Sequence, residues 1–160
     1  MKRQQKKALA EIYSEAAQLW RAPENLTVDE WADKYRQLDG GLAAEAGQWR
    51  TSRTEYMREP MRAFTDTKLE EITVVSPSQV GKSELELNCI NYIIDQDPGT
   101  ILYVHPTVKD AEEFSRLRLE PNFRGTPKIR DRVKATKKGG RKTASTVLMK
   151  SFPGGMVNLV

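Results

Sequence analysis

Residues 74–84 read Val74-Val75-Ser76-Pro77-Ser78-Gln79-Val80-Gly81-Lys82-Ser83-Glu84. The run matches the phosphate-loop pattern at Gly81, Lys82 and Ser83, with Ser76 in place of the usual first glycine. The pattern needs three parts together. A strand delivers the loop, backbone N–H groups curl around the phosphates, and a helix starts there with its positive dipole end facing them. A Gly-Lys-Ser triplet alone is common, and an ordinary strand-to-helix turn could carry it. Its setting adds the weight.

Upstream, Glu71–Val75 is β-branched and reads as a short strand. Downstream, the spacing predicts a helix from Lys82 to Gln96, apolar on two sides as a helix packed on a sheet should be. Pro98-Gly99 breaks it. Thr100–Val104 reads as a second buried strand, and Thr107 offers a cap for a helix to Leu119. This order predicts an α/β fold with a parallel sheet and right-handed crossovers. Residues 121–142 read as a Pro-, Gly- and Lys-rich connector, with strands expected at Thr143–Ser151 and Met156–Val160.

Before the loop, residues 2–20 have helical spacing (Ala8, Ile12, Ala16, Leu19). Thr27-Val28-Asp29-Glu30 is a capping box opening a helix with Trp31, Tyr35 and Leu38 on one stripe, expected to end at Gly40-Gly41. Residues 39–70 show no sustained period and are expected to wrap the main domain. The expected division is a helical N-terminal segment, 1–40, and an α/β domain carrying the phosphate loop, 41–160.

The 160 residues can hold one sizeable core. No run approaches the roughly 20 apolar residues of a membrane span, and the basic N-terminus lacks the apolar stretch of a secretory signal. One cysteine, Cys89, cannot form an internal disulfide, and one histidine with one cysteine cannot build a zinc site. Asp95 reads as a helix-end acid, His105 as a hydrogen-bonded turn residue and Cys89 as core. Trp49 and Tyr56 could stack on a base or simply pack. The net charge of +4 is unevenly spread, with residues 124–160 carrying ten Lys/Arg against the single Asp131. Such asymmetry marks either a polyanion-binding surface or a solvated basic loop.

Three ordered motifs carry a resemblance. They are Glu45–Thr51 continuing through Tyr56–Met61, the loop Ser78–Glu84, and Asp97-Pro98-Gly99 followed by His105-Pro106-Thr107, with Trp31–Arg36 in the same alignment. Over roughly residues 27–160 the chain resembles the large terminase subunit of tailed bacteriophages, of the lambda-like GpA type. The resemblance implies a P-loop NTPase sheet, here its N-terminal portion, in an ATP-driven DNA-packaging motor. It implies ATP and Mg²⁺ as cofactors and Ser76, Pro77, Ser78, Gln79, Val80, Gly81, Lys82 and Ser83 as the phosphate loop. Lys82 would be the catalytic lysine and Ser83 the Mg²⁺ ligand, with Trp49 and Tyr56 near adenine. Implied partners are double-stranded DNA, a small terminase subunit and the prohead portal, in the host bacterial cytoplasm and with no membrane. Family members carry an apolar strand ending in Asp-Glu beyond the position of Val160, and a nuclease domain after it. Neither stands in this sequence, so the chain is expected to be the front portion of such a subunit, hydrolysing ATP slowly at most. The alternative is a DNA- or partner-binding module with a vestigial P-loop.

The basic stretch generates a prediction. Lys134, Lys137, Lys138, Arg141 and Lys142 lie in a Gly-containing run without an acid. They should contact duplex DNA independently of sequence, with affinity falling as salt rises through counterion release. Binding of random duplex across a salt series, repeated with Lys137→Glu plus Lys138→Glu, checks this. A flat salt response or unchanged binding of the variant returns the stretch to a solvated loop.

Overall fold

Helix α1, Val28–Tyr35, begins where the capping box places it, the Glu30 carboxylate accepting the Thr27 N–H at 3.0 Å. The computed structural model describes residues 24–38, 40, 46–138 and 146–160, with Tyr13, and of 134–138 only the backbone. Apart from Tyr13, the expected helix at 2–20 lies outside them. Helix α1 buries Val28, Trp31 and Ala32 and stops at Tyr35, earlier than expected. Leu38 instead belongs to a short antiparallel pair, β1 (Gln37–Leu38) with β2 (Gly47–Gln48). Two 3₁₀ turns, Thr51–Arg53 and Glu55–Met57, lead into α2, Arg58–Ala63.

Helix α3, Lys82–Gln96, has the predicted bounds and is the central post of the structure. Strand β3 (Thr100–Tyr103) follows, then α4 (Val108–Phe114), capped by the Thr107 hydroxyl accepting the Asp110 N–H. A π turn at Ser115–Leu119 interrupts the helix expected to run unbroken to Leu119. Helices α5 (Glu120–Gly125) and α6 (Pro127–Lys138) occupy most of the expected connector. Strand β4 (Met149–Phe152) turns through Pro153-Gly154 into β5 (Gly155–Leu159), Gly154 taking φ +90°. The sheet order is β3–β5–β4, with β3 parallel and β4 antiparallel to β5. The fold is mixed α/β, and its sheet is mixed rather than all-parallel.

One expected strand is missing. Glu71–Val75 makes no ladder, and Val75 is 93% exposed. An apolar cavity of about 540 Å³ lies between this stretch, α3 and β3, lined by Phe64, Leu69, Ile72, Cys89 and Ile101 among others. A run this short specifies a strand only if a sheet edge accepts it, and β3 pairs with β5 alone among the described strands.

The core joins Trp31, Met61, Ile94, Leu119, Ile129 and Val157, all fully buried. Asp95 locks three helices together at its edge. Its carboxylate accepts the Trp31 indole N–H at 2.8 Å and pairs with Lys128 at 2.8 Å and Arg132 at 2.9 Å. The same Lys128 lies 3.7 Å from the centre of the Tyr35 ring, a cation–π contact. Nearby, Asn91 and Asn122 exchange amide hydrogen bonds between α3 and α5. Asp95 is thus a structural carboxylate: Oδ2 accepts from Trp31 and Gln96 and pairs with Lys128, while Oδ1 faces Arg132 as an ion pair without a hydrogen bond. No described helix is long and apolar enough to cross a membrane.

Burial pushes the Asp95 carboxyl up, but hydrogen bonds from Lys128, Trp31 and Gln96 outweigh burial and hold it below its ordinary value. Because the folded group is the more acidic, its stabilisation is present above about pH 4 and fades as pH falls through the depressed folded value. Asp95→Asn should cost about 2 kcal/mol, a discounted value because Lys128 and Arg132 can turn to water. It should also flatten the acid limb of stability, as urea unfolding at several pH values would show.

Candidate functional site

The loop before α3 is curled by two left-handed residues, Gln79 at φ +61° and Gly81 at φ +86°. Gly81 is the N-cap of α3, so the loop meets the positive end of a 15-residue helix. A side chain at 81 would be strained by its φ, and its Cβ would lie 2.7 Å from Met57 Cε. The φ is what demands glycine; the Met57 methyl, at the end of a flexible side chain, could shift.

Lys82 folds back over the loop, its ammonium donating to the Ser76 carbonyl at 3.1 Å and the Pro77 carbonyl at 2.7 Å. The Tyr56 hydroxyl donates to the Val80 carbonyl at 2.8 Å, tying the loop to the 3₁₀ turn at Glu55–Met57. The Ser76 hydroxyl oxygen is buried without a hydrogen-bond partner. Ser76 and Val80 line a small cavity of about 200 Å³ with Tyr56.

In front of the loop lies a larger cleft of about 670 Å³. It is lined by Gln79, Gly81, Lys82 and Ser83 of the loop and helix start, by Trp49, Arg50, Arg53 and Thr54, and by Arg118. The volume falls within the 300–1,000 Å³ usual for small-molecule sites. Trp49 is 6% exposed; its indole N–H donates to Thr51 Oγ1 at 3.0 Å, and its ring lies 5.0 Å from the Arg36 guanidinium. Arg36 is itself buried, donating to the Glu84 carbonyl at 2.8 Å, the Glu84 carboxylate and the Asn88 side-chain oxygen. Burial pushes its pKa below the ordinary value, opposed by the Glu84 charge and hydrogen bond.

The structure therefore gathers Gln79, Gly81, Lys82, Ser83 and Trp49 on one cleft. Tyr56, Ser76 and Val80 lie behind the loop, Pro77 joins through its carbonyl and Ser78 stands exposed. Lys134, Lys137 and Lys138 fall where α6 is described by its backbone alone, and Arg141 and Lys142 lie outside the described residues. His105 packs against the stacked Tyr103 and Phe114 rings and does not line the cleft. Burial, then the Glu86 charge, pushes the Cys89 thiol up to about 12, which leaves it protonated at neutral pH. Sequence reasoning missed Arg36, Arg50, Arg53 and Arg118 as site residues. Arg36 and Arg50 stood inside the ordered motifs, but only the folded contacts bring these cations to one place.

Among the described residues no group of three His, Cys, Asp or Glu could hold a metal ion. The exposed Ser83 hydroxyl in the first turn of α3 suits a Mg²⁺ carried in on phosphate oxygens, since this ion commonly takes few protein ligands.

Residues 43–160 match the family model for the phage terminase large subunit gpA, ATPase domain. Among curated proteins, the chain is 32% identical over 133 residues to the terminase large subunit of Escherichia phage lambda, covering 83% of this chain and 20% of that protein. It is 24% identical over 134 residues to the terminase large subunit of Enterobacteria phage P21, covering 84% of this chain and 20% of that protein. The chain thus spans about a fifth of the length of the curated relatives it matches. No solved structure matches it.

Gly81→Ala should destabilise the chain by about 1–3 kcal/mol, because the left-handed backbone persists only where its surroundings force it. Because Met57 is itself in the core, urea unfolding of Gly81→Ala, Met57→Ala and the double variant separates the two causes. The coupling energy of that cycle should account for only part of the Gly81→Ala loss, the rest being backbone strain.

Proposed function

The chain belongs to the family of the phage terminase large subunit gpA ATPase domain, and from that membership we propose that its cleft binds ATP with Mg²⁺. The observation that carries this reading is the placement of Lys82. Its ammonium, the left-handed Gly81 cap and the start of α3 share one wall of a cation-lined cleft of nucleotide size. In this structure the ammonium takes the Ser76 and Pro77 carbonyls as acceptors. Phosphate oxygens are stronger acceptors for the same donor, so binding exchanges neutral partners for charged ones.

In this reading Lys82 holds the terminal phosphates, backbone N–H groups of 79–83 surround them, and Ser83 supplies a hydroxyl to the metal. Mg²⁺ held there with Ser83 as its protein ligand would offset the charge that develops on phosphoryl transfer. Trp49 and Tyr56 stand on either side of the loop, where an adenine could lie against the Trp49 wall. The sheet β3–β5–β4 with α3 then belongs to a P-loop NTPase fold within 41–160. The wider role comes from the family: ATP-driven DNA packaging in the host bacterial cytoplasm, with duplex DNA, a small terminase subunit and the portal as partners. We read these residues as the ATP-binding front portion of such a subunit.

Lys82→Ala should lower Mg-ATP affinity about tenfold or more, the effect of losing a charge-assisted contact of roughly 1.5–3 kcal/mol. Isothermal titration of the parent chain and the variant tests the assignment. Equal affinities would remove Lys82, and with it the phosphate loop, from the site.

A further inference from the structure

The cleft carries more positive charge than the loop motif accounts for. Arg50, Arg53 and Arg118 line it together with Lys82. Glu84, the one carboxylate among the described lining residues, is already engaged by buried Arg36.

Arg118 lies within the π turn at Ser115–Leu119 and lines the cleft. One extra residue in a helical round rotates the downstream side chains by about 100° relative to an unbroken α-helix, and such insertions recur at functional sites. Here the two basic side chains of the turn go separate ways. Arg116 pairs with Glu112 one turn back at 3.5 Å, whereas Arg118 Nη1 stands 3.9 Å from Glu84 Oε1. The buried Ser115 hydroxyl donates to the Val147 carbonyl and fixes the start of the turn. The Arg118–Glu84 contact is long, Arg118 is 46% exposed, and the other Glu84 oxygen belongs to Arg36. Such a pair contributes little and is easily given up.

We propose that Arg118 is a second cationic arm of the phosphate site, exchanging Glu84 for a phosphate of a bound nucleoside triphosphate. The inference rests on the ATP reading of the cleft. A triphosphate brings more negative charge than Lys82 alone can offset, and a guanidinium fork matches phosphate oxygens in pairs. Arg118 contacts the ligand through charge, so its effect belongs to the phosphates and is independent of the base.

Isothermal titration of Arg118→Gln, Arg118→Lys and Lys82→Ala with Mg-ATP, inorganic tripolyphosphate and adenosine tests this. Arg118→Gln should weaken Mg-ATP and tripolyphosphate about five- to tenfold, leave adenosine and the urea unfolding midpoint unchanged, and be partly rescued in Arg118→Lys. Unaltered affinity in Arg118→Gln, with Lys82→Ala still impaired, overturns the role of Arg118 and leaves the ATP reading standing. A lowered unfolding midpoint with equal losses for all three ligands assigns Arg118 to packing and overturns it as well. Failure of the parent chain to bind Mg-ATP overturns the ATP reading and this inference together.

Discussion

A buried guanidinium, Arg36, holds the cleft together. It lies between α1 and β1, yet its donors go to the Glu84 carbonyl and carboxylate and to Asn88, all in the first two turns of α3. Its flat face packs on Trp49, the back wall of the cleft. Three separate stretches of chain are thus fixed to one another by a single side chain. Burying such a charge is costly unless it is paired, and losing either partner of a buried pair typically costs about 3–5 kcal/mol. The pairing also leaves Glu84 with little charge to repel an anion, which is what a phosphate-binding wall needs beside it.

The loop itself is held from one side. Gly81 and α3 anchor its end, Tyr56 ties down Val80, and Lys82 clasps the carbonyls of Ser76 and Pro77. On the other side, 71–77 joins no sheet. The clasp closes the loop over its own acceptors, and in the ATP reading proposed above a phosphate takes their place as the partner of Lys82. Asp95, at the other end of α3, keeps the helix itself from moving through its ties to α1 and α6.

The parts of this arrangement legible in the sequence are those set by local chemistry. The α3 bounds come from Gly81 before the helix and Pro98-Gly99 after it, and the Thr27 and Thr107 caps from side chains that satisfy the first free N–H groups. The Gly81-Lys82-Ser83 run located the loop. Features that depend on distant partners were hidden. Ile72–Val75 has strand composition but no accepting edge, while Pro127–Lys138 is so rich in Lys and Arg that it resembles a loop until Ile129 is buried and Lys128 and Arg132 meet Asp95. The antiparallel β4 depends on a two-residue turn at Pro153-Gly154, which a parallel reading of the strand order passes over. The convergence of Arg36 and Arg118 on Glu84 joins residues 48 and 34 positions away from it, and no local spacing encodes that.

The central claim is that a nucleoside triphosphate occupies the cleft between the loop and Trp49. Hydrogen exchange followed by mass spectrometry, on the chain with and without saturating Mg-ATP, tests it most directly. The account predicts new protection in peptides covering 76–85 and 48–54, with the amides of 150–159 unchanged. Protection confined to other segments, or none at 76–85 under conditions where titration shows binding, would contradict it.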